Sequence, residues 1–286
     1  MDPKLDVPKK LTIFGVHWKV LRLPYRFANE DILRWYDHWL KGINTGVMEE
    51  PPVKIFVRGV NRYRFEEEWP VARTKWTKFF LKRFGKLDVE PEQDKGIPPD
   101  NMIHVPPIVS TDIPSLRYST ESLSSPIEVT GPIALYLHAA IDKEDANFIS
   151  RLWDVLPNGE RIPLSNGYLK ASHGTLVGEK SKPWLPVHDH ARSVPVKPGQ
   201  VNEYVIQMNT TSNVFFPGHR IELEITSMDP MPQHKFVWSK MTMMGSLPSS
   251  RLTKYEIYRD ESYPSHLLLP VIPQSDATLW LQPFQD

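Results

Sequence analysis

The spacing of apolar residues changes character once along the chain. Near the start, Leu11-Thr12-Ile13-Phe14-Gly15 is a short apolar run behind Pro8-Lys9-Lys10, and it predicts a strand ending at Gly15. Ile32, Leu33, Tyr36, Trp39 and Leu40 then recur at helical spacing. Asn29-Glu30-Asp31 supplies a cap and carboxylates for the positive helix start, and Gly42 a stop, so a helix is predicted over 28–41. Beyond it the pattern becomes that of strands. Residues 52–59 and 76–81 read as two of them. Residues 85–115 carry Pro91, Pro98, Pro99, Pro106, Pro107 and Pro114 and predict an irregular strap on the surface.

From Ile127 onward, short apolar runs follow at close spacing: 127–141, 148–156, 162–172, 204–208, 221–227 and 254–258. Turn-forming residues separate them, at 142–145, Pro157-Asn158-Gly159, Ser165-Asn166-Gly167, Lys197-Pro198-Gly199 and Pro217-Gly218. Many short strands between such turns indicate a sandwich or jelly roll. No fixed-period repeat is present, which argues against a propeller or solenoid.

Composition narrows the functional classes. The 286 residues fit one large domain or two ordinary ones. The 34 Lys+Arg are balanced by 34 Asp+Glu, so no excess of cations is available to neutralise phosphates and no nucleic-acid partner is expected. The 28 prolines exclude a long helical bundle. Without cysteine there is no thiolate chemistry and no Cys-ligated metal centre. The first residues lack the apolar region of a signal peptide, and no window approaches 18 apolar residues, so a cytoplasmic location with no membrane partner is expected.

Candidate chemistry is sparse. The G-x-S-x-G nucleophile elbow is absent, because Gly245-Ser246-Leu247-Pro248-Ser249 lacks the final glycine. Phosphate-binding glycine loops are absent too, and neither a cofactor nor a metal is expected. His188-Asp189-His190 could offer two imidazoles to a metal, but a third ligand would have to come from elsewhere, and a loop of polar residues is the preferred reading. His219, in Pro217-Gly218-His219-Arg220-Ile221, reads as a turn residue, and His38 as a packed helix residue. His17 stands apart. It follows a strand and precedes a helix, where α/β folds place catalytic groups, and an imidazole there could act as a general base.

Several segments together resemble a known family. Arg34-Trp35-Tyr36-Asp37-His38-Trp39-Leu40-Lys41-Gly42 is similar to a helix end of the CocE/NonD serine hydrolases, which include cocaine esterase-like enzymes, α-amino-acid ester hydrolases and Xaa-Pro dipeptidyl-peptidases. Pro51-Pro52-Val53-Lys54-Ile55-Phe56-Val57-Arg58-Gly59, followed by Glu68-Trp69-Pro70, resembles the lead into that family's C-terminal β domain. Thr130-Gly131-Pro132-Ile133, Arg151-Leu152-Trp153-Asp154-Val155-Leu156-Pro157-Asn158-Gly159, Gly167-Tyr168-Leu169-Lys170-Ala171-Ser172-His173 and Pro217-Gly218-His219-Arg220-Ile221 resemble recurrent motifs of that domain. Leu269-Pro270-Val271-Ile272-Pro273 resembles its closing strand.

The resemblance implies a mainly β fold: a jelly-roll, galactose-binding-like sandwich over 116–286, connecting strands and a Pro-rich strap over 51–115, and a C-terminal remnant of an α/β-hydrolase domain over 1–50. It implies acyl transfer to water, at a small ester or at a peptide bond after proline. His17 stands where the family's triad histidine stands, although Gly15-Val16-His17 is one residue shorter than the family's Gly-x-x-His loop. Sixteen residues before His17 cannot hold the nucleophile, the acid and their strands. The chain is therefore expected to be part of a larger hydrolase, a truncated or split gene product inactive alone, whose αβ start could dock on a complementary hydrolase chain. The competing expectation is a free-standing module, either for assembly or for carbohydrate, with Trp153, Trp184 or Trp238 stacking on sugars.

Overall fold

The computed structural model describes residues 7–13, 23–110, 112–229 and 249–273, with residues 23–28 described by backbone only. Strand β1 (Leu11–Ile13) pairs in parallel with β2 (Val53–Val57), and β2 pairs antiparallel with β3 (Arg62–Glu66). Helix α1 (Leu23–Lys41) lies in sequence between β1 and β2. It begins upstream of the expected start. Pro24 suits a first helical turn, and the carboxylate of Asp31 goes to Lys54 instead of capping.

The remaining strands are β4 (Lys75–Lys82), β5 (Lys86–Asp88), β6 (Asp100–His104), β7 (Ser115–Ser119), β8 (Ile127–Ile141), β9 (Asn147–Val155), β10 (Arg161–Lys170), β11 (Asn202–Phe215), β12 (Arg220–Thr226), β13 (Thr253–Tyr258) and β14 (His266–Ile272). Their order is β11-β10-β9-β12-β7-β5-β4-β14-β8-β13-β6, and β8 also pairs with β11, which closes the sheet on itself. The mainly β sandwich read from the sequence is thus present. Its core includes Leu135, Leu137, Phe148, Leu152, Phe215, Leu223, Tyr255 and Leu267, all buried. These residues alternate with outward-facing partners, as a sheet with one dry face requires. A second, smaller core joins the three-stranded sheet to the sandwich: Val53, Ile55, Val57 and Val71 pack with Val214 of β11 and Ile272 of β14.

Two expectations are corrected. Residues 85–115 are not a wholly irregular strap. They contain β5, paired with β4, and β6, paired with β13; the prolines sit outside both strands, where no ladder hydrogen bond is needed. Ser165-Asn166-Gly167 is not a turn but the middle of β10, beside a register shift between Pro163 and Ser165. A Cβ on Gly167 would sit 2.6 Å from the Gln207 carbonyl oxygen, so this glycine admits the close approach of β11.

A buried ion network pins the two sheets together. Arg64 of β3 is 1% exposed. Its guanidinium donates to both oxygens of Glu128 at the start of β8 (2.7 and 2.5 Å), and its Nε makes a 2.7 Å charge contact with Glu66, without the alignment of a hydrogen bond. Arg73 completes the set through a bidentate pair with Glu66 (2.6 and 2.7 Å). Thr130 Oγ1 donates to Glu128 at 2.7 Å. Two cations face two carboxylates, so this buried cluster is neutral.

Candidate functional site

Helix α1 is held to the three-stranded sheet through polar side chains. Lys54 Nζ of β2 donates to Asp31 at 2.9 and 3.0 Å. Arg34 donates to Glu50 at 2.6 Å and to the Thr45 carbonyl at 3.0 Å, and Thr45 Oγ1 returns a bond to the Arg34 carbonyl. Lys10 donates to the carbonyls of Glu50 and Pro51. A cavity of about 510 Å³ lies between helix and sheet, bordered by Leu11, Ile32, Trp35, Tyr36, Val47 and Phe65.

Ile32, Trp35 and Tyr36 of the helix border this cavity, whereas Leu33, Trp39 and Leu40 lie outside its lining. On the helix, Leu33 is 59% exposed, Tyr36 54% and Leu40 75%, with Ile32 and Trp39 close behind. A surface helix ordinarily buries its apolar stripe and exposes its charges. Here partly exposed ion pairs, each worth no more than about 1 kcal/mol, tie the helix to the sheet, and much of its apolar surface stays exposed. His17 lies outside the described residues, in the stretch between β1 and α1.

The other histidines singled out in the sequence fall into place individually. His219 Nδ1 is 2.8 Å from Asp154 Oδ1, and Asn213 Nδ2 donates to the other oxygen of Asp154 at 3.4 Å. Burial raises the Asp154 carboxyl above its ordinary range, against these hydrogen bonds. The pair joins two of the sequence motifs across the end of the sandwich. The pair ties the turn before β12 to strand β9. Sequence reading placed His219 in a turn but missed Asp154, because 65 positions separate the partners.

His188 and His190 have ring centroids 6.1 Å apart, and burial lowers the His188 pKa. The carboxylate of Asp189 accepts the Ala191 N–H instead of facing them. Among the described residues no three His, Asp or Glu side chains gather to hold a metal. His38 packs edge-on against Trp39. Trp153 donates to Glu224 at 3.0 Å and carries the Arg161 guanidinium 4.2 Å above its ring. Trp184 stacks on Trp76, with Lys182 over its ring. Both rings have partners already. Trp238 lies outside the described residues. No helix among the described residues is long and apolar enough to cross a membrane.

With this arrangement in view, the similarity to known proteins is informative. Residues 45–268 match the family of X-Pro dipeptidyl-peptidase C-terminal non-catalytic domains. The chain belongs to this family. The domain is the C-terminal part of CocE/NonD-type hydrolases. Over 273 residues it is 28% identical to cocaine esterase of Rhodococcus sp., a match spanning 83% of this chain and 45% of that protein. The domain superimposes on a CocE/NonD family hydrolase from Staphylococcus aureus with a TM-score of 0.79 at 17% identity, covering 93% of this chain and 49% of the other. An aminopeptidase from a marine sediment archaeon of the Thaumarchaeota gives 0.69 at 21% identity, covering 88% and 45%. These two superpositions establish the fold. The chain spans less than half the length of each of these relatives. The family match starts at residue 45 and so excludes α1, whose exposed apolar residues lie just outside it.

Proposed function

We propose that the domain works as the C-terminal part of a serine hydrolase that cleaves small esters or Xaa-Pro peptide bonds. A catalytic α/β-hydrolase unit docks on the α1 face and supplies the nucleophile and the acid. The observation that carries this reading is the amount of apolar surface that α1 leaves exposed. Charged side chains tie the helix to the domain's own sheet, while Leu33, Tyr36, Trp39 and Leu40 stay about half exposed or more. The family's description as non-catalytic fits a role in shaping substrate access instead of performing the chemistry.

In this reading His17 takes the proton of the serine hydroxyl and delivers it to the leaving group. Its support is its resemblance to the family's triad position and its place between β1 and α1. The chain alone is inactive. Treatment of the purified chain with a fluorophosphonate probe and with p-nitrophenyl acetate tests this: no labelling and no burst are expected, and a stoichiometric burst would overturn it. Reading the DNA immediately upstream for a G-x-S-x-G segment is the complementary check. If the segment exists, expression in one chain with this domain should yield a hydrolase that His17→Ala inactivates.

A further inference from the structure

A cavity of about 480 Å³, the size of a small-molecule site, lies beside the turn between β4 and β5. Its charged lining is Arg83, Arg117, Arg259 and Asp100. Asp100 is fully engaged. Its two oxygens accept Nε and Nη2 of Arg259 at 2.6 Å each, and Oδ2 also accepts the Tyr118 hydroxyl at 2.7 Å. The carboxylates that pair with the other two arginines, Glu92 and Asp94 for Arg83 and Glu224 for Arg117, lie outside the lining. The lining itself is thus cationic.

All three guanidiniums make these internal bonds through Nε and Nη2, which leaves Nη1 out of every pair. Arg259 is only 7% exposed, and its buried Nη1 has no hydrogen-bond partner among the described residues. A buried donor on a charged group is costly to leave unsatisfied, so an acceptor is called for. Arg117 is loosely held, because both its contacts with Glu224 are 3.4 Å long. The uncharged lining includes Phe84, Ile97, Pro98, Pro99 and Leu116. Phe84 stands in the left-handed region at φ 61°, ψ 30°, an outlier for a bulky residue, and is 91% exposed, so burial does not compensate. Strain held at the edge of a cavity points to binding instead of folding.

Guanidinium edges suit a planar oxyanion, and an aromatic ring beside prolines suits a flat apolar body. We infer that this cavity binds a small aromatic carboxylate, with its oxygens on Nη1 of Arg259 and on Arg117, and its ring against Phe84 and Pro98-Pro99. A bare anion would leave the apolar wall uncovered, and a neutral ring would leave Arg259 Nη1 unpaired. The inference is independent of the reading of α1.

Benzoate is the probe, titrated into the full chain and followed by calorimetry and NMR shifts. Saturable binding in the millimolar range is expected for a ligand of so few atoms. Benzamide, which has the ring without the charge, should bind about tenfold more weakly, and neither inorganic phosphate nor acetate should displace benzoate at equal concentration. Arg117→Gln, at a side chain 52% exposed, and Phe84→Asn, which suits the backbone, should each weaken benzoate about fivefold with the melting temperature unchanged or higher. No saturation by about 50 mM benzoate, equal affinity for benzamide, displacement by phosphate or acetate at equal concentration, or parental affinity in either variant would each overturn the assignment.

Discussion

Glu128→Ala is the sharpest test of how the three-stranded sheet is fixed to the sandwich. The substitution leaves Arg64, 1% exposed, without its bidentate partner at 2.7 and 2.5 Å. The four-charge cluster then holds two cations and one carboxylate. Removing one partner of a buried pair costs about 3–5 kcal/mol, because an uncompensated charge stays out of water. Thr130 keeps its 2.9 Å contact with Ser212, so the hydroxyl adds little. A loss of this size is a third or more of the total stability of a marginal domain with about 10 kcal/mol. Guanidinium unfolding followed by tryptophan fluorescence should show it as a lower midpoint at unchanged slope. Arg64→Met alone should be similarly damaging. The double variant should cost less than the sum, by about 1–3 kcal/mol of coupling. A Glu128→Ala chain within about 1 kcal/mol of the parent, or strict additivity, would refute the view of this network as the clasp between the sheets.

Three further outcomes are expected. Burial holds His266 down to about 4, against its bond to the Pro264 carbonyl and beneath the stacked Tyr136 ring, so protonation opposes folding. Stability supplied by the neutral ring is complete above pH 6.5 and is lost as pH falls toward 4, by about 3 kcal/mol at most. His266→Phe should flatten that slope in unfolding experiments across the window. Gly167→Ala places a methyl 2.6 Å from the Gln207 carbonyl oxygen and should destabilise by about 1–3 kcal/mol, read as a lowered midpoint. Leu40→Glu on the exposed apolar surface of α1 should change the isolated chain's stability by less than about 0.5 kcal/mol, yet prevent docking of a catalytic unit in a binding titration.

The strands with strong alternation were legible. The run 127–141 coincides with β8, and the runs at 148–156 and 221–227 fall within a residue of β9 and β12. What escaped had its cause in tertiary structure. Arg62-Tyr63-Arg64-Phe65-Glu66 looks too charged for a strand until Arg73 and Glu128, the latter 64 positions from Arg64, neutralise it. Asn166-Gly167 is a good turn pair that the neighbouring β11 recruits for close packing. The helix stripe was visible in the sequence, but how the helix is tied down depends on Lys54, Thr45 and Glu50, which local periodicity does not reveal. His17 was singled out by position and resemblance, and neither depends on the surrounding packing.

The place of β14 bears on how the chain is made. This strand lies between β4 and β8, with His266 opposite both Phe80 and Tyr136. A ribosome delivers β4 first, and its partner arrives 186 residues later, from 80 to 266. Until then the edges of β4 and β8 that β14 will cover remain open, and the closed sheet lacks a member. Such distant pairings make folding slow and expose sticky edges on the way. Synthesis that stops anywhere short of β14 leaves no smaller version of this sandwich, so the polypeptide commits to its native topology only when its last described strand has emerged.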